Sequence, residues 1–206
     1  MNKNQDYISD IAAIRVMMER TSKFLSLSGW AGVMAGLYAL VGAYLAYQLA
    51  GFVPPKTLLT VVDPTETGFL FSVAIAIAVL LFSILTAAYL SQRRAERKGE
   101  SIRNSSSKQM LRYMSTPLVA GGLLTIILLL QGLAAFAAPL TLLFYGLSLF
   151  NASHFTFSEL RYLGFLLIIL GLSSVLAPRL GLLFWAIGFG LLHIVYGVYI
   201  HMKYQR

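Results

Sequence analysis

The side chains best suited to chemistry in this 206-residue chain are three histidines, His154, His193 and His201. Histidine is the side chain that changes charge between pH 5 and pH 8. His154 and His193 each lie 15 residues after a proline, Pro139 and Pro178. On a helix that spacing covers about 22 Å, so we expect the two histidines at one level of a bundle. Such a pair could sense pH or relay protons; each could instead hydrogen-bond a neighbouring helix.

Three further polar residues complete the candidate set: Gln131, Asn151 and Glu159. Asn151 or Glu159 could help a histidine to bind a metal. No His-x-x-x-His or His-Glu-x-x-His pattern accompanies them, so we predict no metal site. Gln131 could line a path or bond another helix. Thr156 and Glu159 have the spacing of a capping box, which is the simpler interpretation of Glu159.

Other catalytic patterns are missing from the sequence. There is no cysteine, and no acidic residue lies within an apolar run. There is also no glycine-rich phosphate loop, no serine–histidine–aspartate set and no pair of carboxylates placed for hydrolysis. We therefore expect neither an enzyme nor a cofactor.

The composition indicates an all-helical integral membrane protein. Hydrophobic residues make up 58% of the chain and charged residues only 12%, against about 25% charged in soluble domains. About 20 apolar residues cross a bilayer as a helix. Six runs approach that length in one membrane domain, and we place them at 25–50, 68–90, 116–137, 140–154, 160–177 and 180–202.

The basic residues predict the orientation. The loop 91–115 is rich in lysine and arginine, which concentrate in cytoplasmic loops. With six spans, both termini are then cytoplasmic, and 14 of the 16 basic residues lie inside. We expect the bacterial inner membrane, and no cleavable signal peptide. Topology and anionic headgroups account for the basic loop, so we expect no nucleic-acid partner.

Residues 4–23 predict a helix outside the membrane. Tyr7, Ile11, Ile14 and Met18 share one face of it. Such a helix could lie in the lipid interface, dock on the bundle, or pair with its copy in a second subunit. We therefore expect three kinds of partner: the lipid bilayer, further copies of the chain in a homo-oligomer, and a cytoplasmic protein.

A duplicated hairpin is a second feature of the sequence. Residues 132–154 and 171–193 are offset by 39 positions and share seven of 23 residues, including the proline and the histidine. We interpret this as a parallel repeat about an axis along the membrane normal. Small residues recur at helical spacing at Ser28, Gly32 and Gly36, and glycines repeat at intervals of seven at Gly181 and Gly188 and at Gly190 and Gly197. These ladders predict close helix packing, within the bundle or between subunits.

The last hairpin supports a resemblance. It reads Arg161-Tyr-Leu-Gly-Phe-Leu-Leu-Ile-Ile-Leu-Gly171, then Ala177-Pro178, Trp185-Ala-Ile-Gly188 and Tyr196-Gly197. This resembles the repeat of HdeD-type proteins, six-span bacterial membrane proteins of three hairpins associated with acid resistance. The architecture alone is also similar to that of six-helix urea and amide channels.

Two hypotheses about function follow. One is a stress-related or small-solute channel-like bundle with pH-sensitive histidines. The other is a regulator or scaffold that binds a cytoplasmic partner through residues 4–23 and 91–115. A wet cavity lined by Gln131, His154 and His193 would favour the first hypothesis, and a solid core would favour the second.

Overall fold

Six helices make up most of the described chain. The computed structural model describes residues 23–49, 56–99 and 105–204, and these ranges contain no strand. Five helices, all except α5, are long and apolar enough to cross a membrane. The all-helical class and the six helices are thus confirmed, whereas the predicted helix 4–23 lies outside the described residues apart from Lys23. In chain order the helices are α1 Gly29–Gln48, α2 Thr67–Arg97, α3 Ser105–Leu130, α4 Ala134–Ala152, α5 Leu160–Leu176 and α6 Pro178–Tyr204.

The segment predicted as a basic loop, 91–115, is largely helical. α2 continues to Arg97, and α3 already begins at Ser105. The local sequence explains the extension of α2, because Gln, Arg, Ala and Glu are good helix formers. Gln92 also donates a hydrogen bond of 3.0 Å to Glu96 one turn later. Most basic side chains of this segment therefore project from helices.

The turn between α3 and α4 lies at Gln131–Leu133 and not at residues 138–139, which separate the predicted spans 116–137 and 140–154. Gly132 has a φ of 76°, a left-handed conformation that suits glycine. α4 opens with a 3-10 turn, Ala134–Phe136, and Pro139 is the third residue of the α-helical part that begins at Ala137. The first amides of an α-helix have no partner within it, so the missing N–H of Pro139 costs little. Its counterpart Pro178 is the first residue of α6, and Gly171 lies inside α5. The two copies thus differ in local structure, and the duplication stays a prediction from the sequence.

Glycines allow close contact within two helix pairs. In the pair α1–α6, a Cβ atom on Gly36 would lie 2.6 Å from the Gly190 carbonyl oxygen, and one on Gly29 would lie 2.5 Å from that of Gly197. In the pair α4–α5, a Cβ on Gly146 would lie 2.7 Å from the carbonyl oxygen of Gly164. Larger residues would separate these backbones. The ladder of α1 and the pair Gly190 and Gly197 therefore meet each other inside one chain, whereas Gly188 faces leucines of α4 and α5.

The two helix pairs, α1–α6 and α4–α5, form the centre of the bundle, because α6 also contacts α4 and α5. Leucines fill the interior where these helices meet; Leu142 and Leu167 are fully buried. α2 packs on α1 at one edge, and α3 packs on α4 at the other. Helices α2 and α6 end, and helices α3 and α5 begin, at one end of the molecule. We call it the basic end, and the end containing Gly132 and Pro178 the opposite end.

Candidate functional site

His193 lies in the interior of α6, directly after a π-helical stretch, Ala186–Leu192. Its Nδ1 atom is 2.8 Å from the carbonyl oxygen of Gly188. A carbonyl only accepts, so Nδ1 carries the proton and donates. The other nitrogen, Nε2, is then the acceptor of the neutral ring. Its partner is the Tyr145 hydroxyl of α4, 3.4 Å away, which donates. π-helical stretches often mark functional sites.

The imidazole of His193 belongs to a cluster of three rings, in which Tyr145 and Phe189 also contact each other with centroids 5.2 Å apart. Phe189 stacks on it with ring centroids 5.8 Å apart, and Tyr145 with centroids 5.5 Å apart. The space beneath Gly188 is filled by Leu142 and Leu167, which a Cβ atom on this glycine would meet. The side chain is therefore a packed member of the core and makes one hydrogen bond with each ring nitrogen.

Tyr196 lies one turn beyond His193 on α6. Its hydroxyl group is buried and has no hydrogen-bond partner in the described part of the chain. It lies within electrostatic range of Tyr145 and of Glu159 at the basic end. The buried polar groups thus continue from His193 towards that end of the bundle.

Glu159, immediately before α5, joins α5 to the end of α6. Its Oε1 atom accepts hydrogen bonds from Lys203 at 2.5 Å and from Tyr204 at 2.8 Å. Its Oε2 atom is buried with no partner among the described residues. Burial alone would raise the pKa of this carboxyl group, but the hydrogen bonds from Lys203 and Tyr204 outweigh burial and lower it.

The predicted capping box is wrong. Glu159 makes no capping hydrogen bond at the start of α5. The hydroxyl of the fully buried Thr156 donates instead to the carbonyl oxygen of Phe24, 2.6 Å away. The Phe24 amide in turn donates to Phe155 at 2.8 Å. Tertiary partners have replaced the local ones, because this loop closes over the segment that leads into α1.

A third contact ties α2 to the basic end. Arg94 donates a hydrogen bond of 3.0 Å to the backbone carbonyl of Tyr204, the last residue of α6. Together with the contacts of Glu159 and Thr156, it fixes four chain segments to one another: the entry to α1, the end of α2, the start of α5 and the end of α6.

The remaining predicted site residues lie apart from this cluster. His154 is exposed in the turn after α4, with its ring edge against Phe150. His201 is half-buried in the last turns of α6, with its ring centroid 5.3 Å from that of Trp30. Asn151 is half-buried near the end of α4, and Gln131 is exposed in the turn before it.

The structure does not bring Gln131, His154 and His193 together. Gln131 and His154 flank the two ends of α4, a helix of 19 residues, which places them about 28 Å apart. His193 is buried at an intermediate depth of the bundle, between the levels of Gln131 and His154. Among the described residues, no group of three or more His, Asp or Glu side chains is placed to hold a metal ion.

Sequence reasoning missed Tyr145, whose hydroxyl group bonds His193, and Tyr196, whose hydroxyl group is buried one turn further along α6. Both lie well inside the predicted spans 140–154 and 180–202. A tyrosine far from either interface has to place its hydroxyl group within the bundle. The depth of the two tyrosines in the predicted spans therefore indicates buried hydroxyl groups, although it does not identify the groups that they contact.

Comparisons of the chain with protein-family models, with curated proteins and with solved structures found no match.

Proposed function

We propose that this chain is an integral protein of the bacterial inner membrane, with its basic end in the cytoplasm. Five helices of sufficient length and apolarity support this proposal. The distribution of charge supports the orientation. Of the described residues, the opposite end has two basic side chains, Lys56 and Arg179, and two acidic ones, Asp63 and Glu66. The basic end has two acidic side chains, Glu96 and Glu159, and nine basic ones: Lys23, Arg93, Arg94, Arg97, Lys98, Lys108, Arg112, Arg161 and Lys203.

Within the membrane the protein acts as a scaffold or regulator that binds an acidic surface of a cytoplasmic protein. One observation carries this proposal: α2 and α3 continue as helices into the basic segment, which presents exposed cations at fixed positions. The exposed residues are Arg93, Arg97, Lys98, Lys108 and Arg112, and we call them the basic platform. Fixed charges lose less conformational entropy on binding than charges on a flexible loop.

A solute channel receives less support from the same geometry. The candidate polar residues Gln131 and His154 are exposed near opposite ends of α4. The candidate His193 is buried and packs against two aromatic rings. Leucines fill the region where α4, α5 and α6 meet. The resemblance to HdeD-type proteins stays a prediction, and it agrees with the proposed bacterial membrane.

Site-specific photo-crosslinking in native membranes tests the scaffold. A photoreactive amino acid replaces Arg97 or Lys108 in the platform, and Lys56 at the opposite end serves as the matched control. We expect a discrete protein adduct from the platform positions and none from position 56. Adding Arg93→Glu and Arg112→Glu should abolish the adduct, since both changes reverse the attracting charge. An adduct that survives charge reversal, or no adduct, contradicts the proposal.

A flux assay separates the scaffold from a channel. The purified protein in proteoliposomes should leave the permeability to urea, glycerol and protons at the level of protein-free vesicles, at pH 5 and at pH 7.5. A flux that rises with the amount of protein and is lost in His193→Ala would support the channel and contradict the scaffold.

A further inference from the structure

A cleft opens between α1 and α6 in the half of the bundle away from the basic end. The two helices are in backbone contact from Gly29 to Gly36. Beyond this contact the helices leave a cleft of about 270 Å³. Its walls are Ala43 and Tyr47 of α1 and Arg179, Leu182, Leu183 and Ala186 of α6. The small side chains of Ala43 and Ala186 leave space between the helices.

The lining residues have helical spacing. Ala43 and Tyr47 are four residues apart, and the α6 residues follow Arg179 at intervals of three, four and seven. Residues with these spacings share one face of a helix, so each wall is a single helix face. The cleft is open to the surroundings, because Tyr47 is 57% exposed and Leu183 is 53% exposed. In the proposed membrane, that opening faces lipid.

Arg179 is the one charged residue of the lining. Its side chain is exposed, and it forms no hydrogen bond or ion pair with any other residue in the described ranges. It lies at the very start of α6, at the level where the proposed span reaches the membrane surface. A guanidinium group binds phosphate through two parallel hydrogen bonds. The cleft therefore combines an apolar trough with a free cation at its outer rim.

We propose that this cleft binds an anionic phospholipid, with one acyl chain in the trough and the phosphate on Arg179. The cleft volume of about 270 Å³ is smaller than that of pockets that enclose a drug-sized ligand, which measure roughly 300–1,000 Å³. This volume favours a single acyl chain as the occupant. Charge complementarity favours an anionic headgroup over a zwitterionic one. The inference rests on the proposed membrane location and is independent of the scaffold function.

Fluorescence quenching by brominated lipids tests the site. Trp185 is adjacent in sequence to the lining residue Ala186 and serves as the probe. The other tryptophan, Trp30, lies in the half of α1 away from the cleft. The variant Trp30→Phe therefore leaves Trp185 as the only tryptophan. The protein is reconstituted with brominated phosphatidylglycerol or brominated phosphatidylcholine. We expect a relative association constant about tenfold higher for phosphatidylglycerol, because either phosphate can bond Arg179 but the choline group of phosphatidylcholine adds a like charge beside the guanidinium.

Three variants assign lipid binding to the cleft. Arg179→Gln should remove it, and Lys56→Gln, which deletes the other cation of the same end, should retain it. Ala43→Leu should weaken quenching by both lipids, because it fills the trough. Free inorganic phosphate should not compete, since it lacks the chain. Equal quenching by both lipids, or a preference that persists in Arg179→Gln, overturns the proposal, whereas loss of membrane insertion would instead contradict the membrane location.

Discussion

Single residues of this protein are held by partners far away in the sequence. The spacing of Thr156 and Glu159 predicts a local capping box, yet Thr156 bonds Phe24 and Glu159 bonds Lys203. His193 is paired with Tyr145, 48 positions earlier. The sequence identifies these residues as polar and unusual. It does not identify their partners, because the packing of helices decides which side chains meet.

Loss of the Thr156 hydroxyl should destabilise the basic end. Thr156→Val keeps the shape and leaves the buried carbonyl of Phe24 without its donor, at a cost of about 1–3 kcal/mol. Unfolding in mixed detergent and SDS measures the difference. Ser158→Ala is the control, since this neighbour is exposed and should change stability by less than about 0.5 kcal/mol. Equal effects of the two substitutions would show that the Thr156–Phe24 bond adds nothing.

The ion pair of Glu159 should make stability depend on pH. Its folded-state pKa is lowered by Lys203 and Tyr204 despite burial. The ionised carboxylate therefore stabilises the fold fully above the unfolded pKa of about 4.3, and this contribution is lost as pH falls through the folded pKa.

A comparison with Glu159→Gln isolates that contribution. The wild-type protein should be more stable than the variant at pH 7 by about 1 kcal/mol or more. The difference should shrink towards zero near pH 3, in the same unfolding assay. A difference that is constant from pH 7 to pH 3 is incompatible with the ion pair as its source.

At the scale of helices, small residues determine which elements approach closely. The ladder of Gly32 and Gly36 predicts a close contact, and so does that of Gly190 and Gly197. Their pairing with each other follows only from the fold. The apolar runs locate the six helices well, whereas helix ends are less predictable. The turn before α4 lies at Gly132, which has a positive φ. The sequence instead suggests a break at Pro139, because proline is the more obvious helix breaker.

Two adjacent glycines of α3 test the role of close approach. A Cβ on Gly121 would collide with the Phe144 side chain of α4, whereas one on Gly122 would have nothing within 4 Å. Gly121→Ala should therefore destabilise the protein by about 1–3 kcal/mol. Gly122→Ala should be neutral or stabilise it by up to about 1 kcal/mol, because alanine is the better helix former. Detergent unfolding compares the two, and a larger loss for Gly122→Ala would contradict the α3–α4 packing.

At the scale of the whole molecule, charge and apolar surface are separated. The described basic side chains are concentrated at one end. The apolar part of α2 is exposed or half-buried up to Ser91. Lipid would cover this surface in a bilayer, and the positive end would face the cytoplasm. The positions of the charged residues and apolar runs along the sequence predict this division, since it needs no knowledge of which helices touch.

Cysteine labelling tests this arrangement most directly, because the chain has no cysteine of its own. Arg97→Cys and Lys56→Cys introduce single thiols at exposed positions of the two ends. A membrane-impermeant maleimide is applied to spheroplasts before and after permeabilisation. We expect labelling of position 56 in both cases and of position 97 only after permeabilisation. Labelling of position 97 in sealed spheroplasts, with position 56 protected, would contradict the proposed orientation.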